Sequence, residues 1–280
     1  MTADAPSAYL SVDMEGCATL VHWDEVRPSP SREYHRACAI MTDETNAVID
    51  GIVAGGGRRV VVNDSHSRMR NLIAERLREP ATLLTGTSKP QFMLEGIDSD
   101  FDAAFFVGYH GGVGDRDAVL GHTYSPHIIY ECRLNGEPVD ELAINAALAG
   151  HYGVPVVFVS GDRTTIESAR RRLPWVTCVV TKQSLSSYAA LSESPSRTRT
   201  LLAAGAQQAL RECGRAEPYR LRAPIAMEID TRLTAHADVV ELVPGCERRG
   251  PRTLRFVADE MPAIYRALVA SIYLGSAVAA

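Results

Sequence analysis

The segment Ala8-Tyr9-Leu10-Ser11-Val12-Asp13-Met14-Glu15-Gly16 passes from a short, mostly apolar run to two carboxylates within a few positions. A run of this length predicts a buried strand, and the sudden appearance of charge marks the point where that strand leaves the core. Asp13 and Glu15 are two positions apart, so they share a face if the chain stays extended. Two carboxylates on one face repel unless a proton, a cation or a metal ion compensates them. Alone, such a pair is more often part of a solvated loop.

The same change from an apolar run to polar side chains recurs along the chain. Residues 59–62 lead into Asp64 and His66, and residues 103–108 lead into His110. The other candidate strands are 128–134, 154–160 and 176–180, and the candidate helices are 31–55, 71–77, 139–151 and 164–173. This alternation predicts an α/β fold with a mostly parallel sheet flanked by helices. Ligands of such sheets bind at the carboxyl ends of the strands, where these polar side chains cluster.

The pattern changes beyond residue 183. A serine-rich stretch is followed by a candidate helix at 201–213, candidate strands at 225–229 and 253–257, and a final candidate helix at 259–274. This order of elements is typical of an α+β arrangement. The sequence therefore predicts an α/β metal-binding catalytic domain over residues 1–183 and a smaller α+β domain over residues 184–280, packed on the first.

Composition excludes several classes of protein. Apolar residues make up 46% of the 280 positions, which is enough for a substantial core. The net charge is −5, and the 27 arginines are scattered while lysine occurs only twice, so nucleic-acid binding is disfavoured. The six cysteines lack C-x-x-C spacing, and the sequence predicts neither a signal peptide nor a membrane span. These features predict a cytoplasmic protein with reduced thiols.

Several histidines and one glutamate are further candidates for chemistry. Glycines on both sides of His110 leave its imidazole accessible, which suits a ligand or an acid–base group. His122 follows Gly121 and is a better candidate for moving protons than His127. Glu141 begins a candidate helix, where an acidic residue is ordinary because it complements the helix dipole. Each residue taken singly therefore has a structural explanation as well as a functional one.

Nucleophilic and nucleotide-binding alternatives have little support. The chain contains no G-x-S-x-G elbow and no phosphate-binding loop of the G-x-x-x-x-G-K-[ST] type. Cys17 lies close to Asp13 and Glu15, and neighbouring carboxylates raise a thiol pKa and so oppose its activation. A metal-independent hydrolase that uses Cys17 is therefore the weaker hypothesis.

Taken in order, the motifs resemble those of the zinc D-aminopeptidase family, peptidase family M55, from about Tyr9 to the last helix. The matching motifs are Ser11-Val12-Asp13-Met14-Glu15-Gly16, Val62-Asn63-Asp64-Ser65-His66-Ser67, Lys89-Pro90 with Met93-Leu94-Glu95-Gly96, Gly108-Tyr109-His110, His122, and Gly136-Glu137-Pro138-Val139-Asp140-Glu141-Leu142 with Asn145. The resemblance implies an α/β fold, two zinc ions per chain and a ring-shaped homo-decamer. The ligands that it implies are Asp13, Glu15, His66, His110 and Glu141, with Asp13 as the candidate bridge, and it implies His122 as the catalytic histidine.

The leading hypothesis is a di-zinc metallohydrolase that uses metal-activated water to remove an N-terminal amino acid, by resemblance a D-residue, from short peptides or aminoacyl amides. One alternative is an amidohydrolase that cleaves a specialised small-molecule amide with the same metal site. Another is a non-catalytic small-molecule binding protein. Carboxylate-rich sites also accept manganese or cobalt, so the native metal stays open.

Overall fold

Two β-sheets, one mostly parallel and one antiparallel, form the framework of the protein. The computed structural model describes residues 5–278. The strands are β1 (Ser7–Val12), β2 (Arg59–Asp64), β3 (Ala81–Leu84), β4 (Ala103–Tyr109), β5 (Ile129–Leu134), β6 (Glu137–Pro138), β7 (Val156–Asp162), β8 (Thr177–Ser186), β9 (Ala189–Ser192), β10 (Ile225–Thr231), β11 (Glu247–Arg248) and β12 (Thr253–Ala258). The helices are α1 (Trp23–Val26), α2 (Arg32–Ala54), α3 (Glu141–His151), α4 (Arg163–Arg172), α5 (Pro195–Glu212), α6 (Thr234–Val240) and α7 (Met261–Ser276).

The first sheet has seven strands in the order β3-β2-β1-β4-β7-β8-β9. Its strands pair in parallel, except that β9 pairs antiparallel with β8. The chain winds outward in one direction from β1 and in the other from β4, so a topological switch point lies between these two strands. The predicted α/β class with a mostly parallel sheet is confirmed.

Both faces of this sheet are covered, because its central strands carry apolar side chains on each side. Leu10 and Val12 belong to a core that includes α2 and α5. Tyr9 and Phe106 belong to a second core, which includes α3, α7 and the antiparallel sheet. Alternate side chains of a strand point to opposite faces, so the short run in β1 supplies both layers.

The second sheet is antiparallel, with the order β11-β12-β10-β5-β6. Residues 128–134 were expected among the strands of the first sheet, and that expectation is wrong, because β5 pairs antiparallel with β10. Buried and more exposed residues alternate in its partner β10, as is usual for a strand with one wet face. The predicted domain boundary at residue 183 falls inside β8, and the second sheet takes strands from both sides of it. The division into two domains stays a prediction.

The predicted helix at 71–77 is wrong, because the chain forms only a 3₁₀ turn there, at Ala74–Arg76. The Asp64 carboxylate accepts hydrogen bonds from the backbone N–H groups of Asn71 and Leu72, at 2.5 and 2.8 Å. These bonds fix an irregular loop in place of a first helical turn.

Among the helices within residues 5–278, none combines the length and the apolar composition that a membrane span requires.

Candidate metal centre

The five predicted ligands lie together at the carboxyl edge of the first sheet, at its switch point. They follow β1, β2 and β4 or begin α3, and all are almost fully buried. His66 Nδ1 is 3.2 Å from Asp13 Oδ1 and 2.9 Å from Glu15 Oε2. His110 Nε2 is 3.4 Å from Asp13 Oδ2 and 3.5 Å from Glu141 Oε1. Asp13 therefore lies between the two histidines, with one carboxylate oxygen toward each.

Close backbone packing brings the first and third ligand segments together. Gly16 N–H donates to the carbonyl oxygen of Gly108 at 2.8 Å. A β-carbon at Gly16 would overlap the Tyr109 carbonyl oxygen, and one at Gly108 would overlap that of Asp13. Gly108 also has a φ of +71°, which other residues rarely adopt. These glycines allow Asp13 and His110 to approach each other.

Each imidazole of the centre donates one N–H to a backbone carbonyl and presents its other nitrogen to the cluster. Such a bond fixes the tautomer and the ring orientation, as is usual for metal-binding histidines. The bonds run from His66 Nε2 to Val26 O at 2.7 Å, from His110 Nδ1 to Gly111 O at 2.9 Å, and from His122 Nδ1 to Leu120 O at 2.9 Å. The nitrogens that face the cluster are therefore His66 Nδ1, which is hydrogen-bonded to Asp13 Oδ1 at 3.2 Å, His110 Nε2 and His122 Nε2.

Three buried polar atoms of the cluster, Asp13 Oδ2, Glu15 Oε2 and His110 Nε2, lack a hydrogen-bond partner. The short approach of His66 to Glu15 does not satisfy Glu15 Oε2, because its geometry is not that of a hydrogen bond. Burying polar atoms without hydrogen-bond partners raises the free energy of the folded state, and a cation bound among them offsets this penalty. Imidazole nitrogens with carboxylate oxygens are a donor set that zinc accepts. The residues present therefore fit a metal ion.

Two overlapping groups have potential ligand atoms within 4.8 Å of one another. One comprises Asp13, Glu15 and His110, and the other comprises His110, His122 and Glu141. His122 Nε2 is 3.8 Å from Glu141 Oε1, and its ring stacks on that of His110 with centroids 4.2 Å apart. The geometry thus gives His122 two possible uses, as an acid–base group and as a ligand.

Burial and mutual charge shift the pKa values of these groups. Burial together with the charge of Glu15 raises the pKa of Asp13 to about 7. Burial alone would lower the pKa values of His66 and His110, but the carboxylates of Glu15 and Glu141 outweigh it and raise both. Without metal, the two histidines are therefore the cations that compensate the carboxylates.

His122 differs from the other two histidines. Burial, reinforced by the charge of His110, lowers the pKa of His122. Its imidazole is therefore neutral at neutral pH, with Nε2 free to accept a proton. The rings of Trp23 and His122 pack in a T-shaped arrangement, with centroids 5.4 Å apart.

Sequence reasoning missed part of the cleft wall. Tyr124 N–H donates to Glu141 Oε1 at 2.5 Å, and its hydroxyl bonds Asn145 Oδ1 at 2.8 Å. Asn145 lies one turn after Glu141 and also contacts the hydroxyls of Tyr109 and Tyr265. These bonds fix the start of α3 and so the Glu141 side chain. The spacing of Asn145 from Glu141 is visible in the sequence, but the approach of Tyr124 is not.

Cys17 and Asp64 also lie close to the cluster in the sequence. Cys17 is fully buried, and burial together with the Glu44 charge raises its thiol pKa well above the usual value. This environment opposes its use as a nucleophile. The Asp64 carboxylate, although close to His66 in the sequence, accepts hydrogen bonds from Asn71 of the following loop. His66 is oriented by the Val26 carbonyl.

An α/β sheet with a buried histidine–carboxylate cluster at its switch point defines a candidate metallohydrolase. The sequence profile of the M55 peptidases, described as D-aminopeptidase, matches residues 7–270. A D-aminopeptidase of Bacillus subtilis strain 168 is 36% identical over 265 residues, covering 93% of this chain and 94% of that protein. The solved structure of the Zn-dependent D-aminopeptidase DppA from Bacillus subtilis, described as a self-compartmentalizing protease, superposes with a TM-score of 0.93 at 34% identity, over 98% of this chain and 99% of that one. The chain belongs to the M55 D-aminopeptidase family.

Proposed function

We propose that this protein is a zinc-dependent aminopeptidase that removes an N-terminal D-amino acid from short peptides or aminoacyl amides. The observation that carries the proposal is the cluster of Asp13 Oδ2, Glu15 Oε2 and His110 Nε2, buried atoms without hydrogen-bond partners at the switch point of the sheet. Membership of the M55 family and the description of the solved relative as Zn-dependent support the choice of metal.

In this proposal Asp13, Glu15, His66, His110 and Glu141 would hold two zinc ions per chain. When bound, such ions acidify water and polarise the substrate carbonyl. His122 is the proposed catalytic residue. Its neutral Nε2 accepts a proton during attack and returns it to the leaving amine, while the bond from Nδ1 to Leu120 O holds the ring.

The cleft beside the cluster is the proposed substrate site. Its rim carries the side chains of Trp23, Arg27, Phe92, Tyr124 and His127. The Arg27 guanidinium lies over the Trp23 ring, 5.3 Å from its centroid. A positive group and aromatic surfaces beside a metal cluster fit a short peptide.

We also propose a homo-oligomer, with a decamer as the specific expectation. Support comes from the solved relative, which is described as self-compartmentalizing. A protease of that kind encloses its active sites within its own assembly.

The test measures zinc per chain and hydrolysis of matched D- and L-aminoacyl amides, on protein purified without chelator or affinity metal. We expect about two zinc ions per chain and faster cleavage of the D-substrates. Glu141→Gln should lose both metal and activity. Asp140→Asn is the matched control, because Asp140 is the neighbouring acid and caps α3 through Ala143 N–H at 2.8 Å, a task that asparagine also performs.

Each contrary outcome favours a different hypothesis about the function. Zinc without cleavage of any aminoacyl amide would favour an amidohydrolase with a specialised substrate. Failure to bind zinc, manganese or cobalt would overturn the ligand assignment and favour a binding protein.

A further inference from the structure

The chain uses arginine for nearly all its positive charge, with 27 arginines and only two lysines, Lys89 and Lys182. Both lysines are buried, with exposed fractions of 6% and 1%. Lysine is seldom buried so deeply, because removing its ammonium from water is costly unless oxygen atoms surround it. Both ammonium groups lie beside segments that carry proposed metal ligands.

Lys182 binds the loop that follows β1. Its Nζ donates to the carbonyl oxygens of Glu15 and Leu20, and to that of Cys17 at 2.9 Å. An ammonium has three N–H donors, so these carbonyls use all of them. The neighbouring Thr181 hydroxyl donates to a fourth carbonyl of the loop, that of Gly16.

A β-bulge in β8 explains how two adjacent side chains reach the same loop. Gly161 of β7 pairs with Val180, but the next residue, Asp162, pairs with Lys182, so Thr181 is the extra residue. Adjacent side chains of a regular strand point to opposite faces, and a bulge removes this alternation. Thr181 and Lys182 are both buried as a result.

Lys89 binds the end of β2 in a similar way. Its Nζ donates to Asn63 Oδ1 at 2.6 Å and to the Asp64 carbonyl oxygen at 2.8 Å. A longer contact of 3.4 Å reaches the carbonyl oxygen of Leu84, at the end of β3. The chain segment fixed by these bonds leads directly into His66, the proposed ligand of this loop.

Arginine does not fit either position, because its donors lie in a planar fork at the end of a longer side chain. Three carbonyls that converge on one point need a compact ammonium. The occurrence of lysine at only these two positions, in a chain that otherwise uses arginine, agrees with this requirement.

We propose that Lys182 and Lys89 are positioning residues that hold the loops carrying Glu15 and His66 in the conformation that binds metal. Neither lysine contacts the reacting atoms in this proposal. Lys182 acts through backbone carbonyls, and Lys89 acts through Asn63 Oδ1 and backbone carbonyls. The inference rests on the proposed zinc site, because it explains how two of the ligands are held there.

The test compares metal-free wild type with Lys182→Met and Lys89→Met. Zinc affinity is measured at 20 °C by competition with a chromogenic chelator, and the melting temperature is recorded with and without zinc. We expect each variant to bind zinc about 10- to 100-fold more weakly, the usual effect of losing a group that orients ligands. The rise in melting temperature on adding zinc should shrink accordingly.

Leu210→Ala is the control for lost stability alone. Leu210 is buried on α5 and lies near Gly57, which precedes β2 at the opposite edge of the sheet from the cluster. We expect its melting temperature to fall and its zinc affinity to match that of the wild type. If Lys182→Met fails to fold, Lys89→Met still tests the proposal. Lys89 is more exposed than Lys182 and holds a different loop.

The outcomes separate this inference from the proposed function. A wild type that binds no zinc would overturn the proposed function. A wild type that binds zinc, together with folded lysine variants of unchanged zinc affinity, would overturn only the positioning role. Weaker binding in the lysine variants but not in Leu210→Ala supports it.

Discussion

The cluster-facing nitrogens of the three histidines have different surroundings, and this difference separates their proposed roles. His66 and His110 each lie within 3.5 Å of two carboxylates, while His122 Nε2 has one carboxylate oxygen at 3.8 Å. A nitrogen between two carboxylates suits a ligand to a shared cation. A neutral imidazole at the edge of the cluster suits proton transfer.

The first prediction concerns His122→Ala. We expect zinc per chain to stay at the wild-type value and kcat to fall about 10²- to 10⁴-fold, the usual contribution of a general acid–base group. Elemental analysis and steady-state kinetics measure the two effects. His151→Ala is the control, because His151 is an exposed histidine at the far end of α3 and lies outside the cleft. Loss of one zinc ion from His122→Ala would instead make His122 a ligand, as its group with His110 and Glu141 allows.

A second prediction follows from the raised pKa values of His66 and His110 in the metal-free cluster. Their carboxylate neighbours keep both imidazoles protonated at neutral pH, and a metal binds only the neutral form. Zinc binding at pH 7 should therefore release protons, and zinc affinity should rise as the pH rises. Calorimetry in buffers with different ionisation enthalpies measures the release. A binding enthalpy that is independent of the buffer would contradict this account.

At the scale of elements, the sequence predicts the strands that end in ligands because their signal is local. β1, β2 and β4 each change from apolar to polar within two or three residues, and Glu141 directly follows a helix cap. The partner of β5 was not predictable in the same way, because β10 lies about a hundred residues further along the chain. The sequence of the loop after β2 is typical of a helix, but the Asp64 carboxylate accepts hydrogen bonds from two of its backbone N–H groups and fixes an irregular conformation.

The same limit applies to the candidate site. Its ligands could be proposed from motif order, but Lys182 contacts a loop 165 residues away at Cys17, and no local pattern indicates that contact. Glu44 of α2 is a comparable case, because it accepts a hydrogen bond from Ala18 N–H of that loop at 2.9 Å. Long-range contacts of buried polar groups therefore account for much of what the sequence did not indicate.

A third prediction concerns Glu44, whose pKa burial raises from 4.5 to about 7. The folded state therefore binds the proton more tightly than the unfolded state, so the wild type loses stability as the pH rises from about 4.5 to 7. Glu44→Gln keeps an acceptor for Ala18 and removes this titration. At pH 8 it should be more stable than the wild type, by up to about 3 kcal/mol at 1.36 kcal/mol per pKa unit.

This difference should shrink as the pH falls toward 5, and urea unfolding of the metal-free protein at several pH values measures it. Glu33→Gln, on the exposed part of the same helix, controls for the loss of a carboxylate. A stability difference that is the same at pH 5 and pH 8 would contradict the raised pKa of Glu44.

At the scale of the whole molecule, the hairpin formed by β8 and β9 is the best candidate for a contact between subunits. Leu185, Tyr188 and Leu191 are 55–62% exposed, although all three are large and apolar. β9 is the last strand of the first sheet, so its outer edge is unpaired within the described residues. Apolar side chains together with an open edge are typical of surfaces that another chain covers.

The last prediction is that Leu191→Asp yields a smaller species than the wild type in size-exclusion chromatography with light scattering. Leu242→Asp is the control, because Leu242 is 76% exposed but lies outside the hairpin, just after α6.

The hairpin also contacts the site, since the Ser187 carbonyl oxygen accepts a hydrogen bond from Leu120 N–H at 3.1 Å and the Leu120 carbonyl oxygen accepts one from His122 Nδ1. Dissociated subunits should therefore lose kcat, because the turn of the hairpin at Ser187 contacts the loop of His122. If Leu242→Asp dissociates and Leu191→Asp does not, the hairpin is not the subunit contact. If Leu191→Asp dissociates but keeps full activity, assembly through the hairpin does not support catalysis.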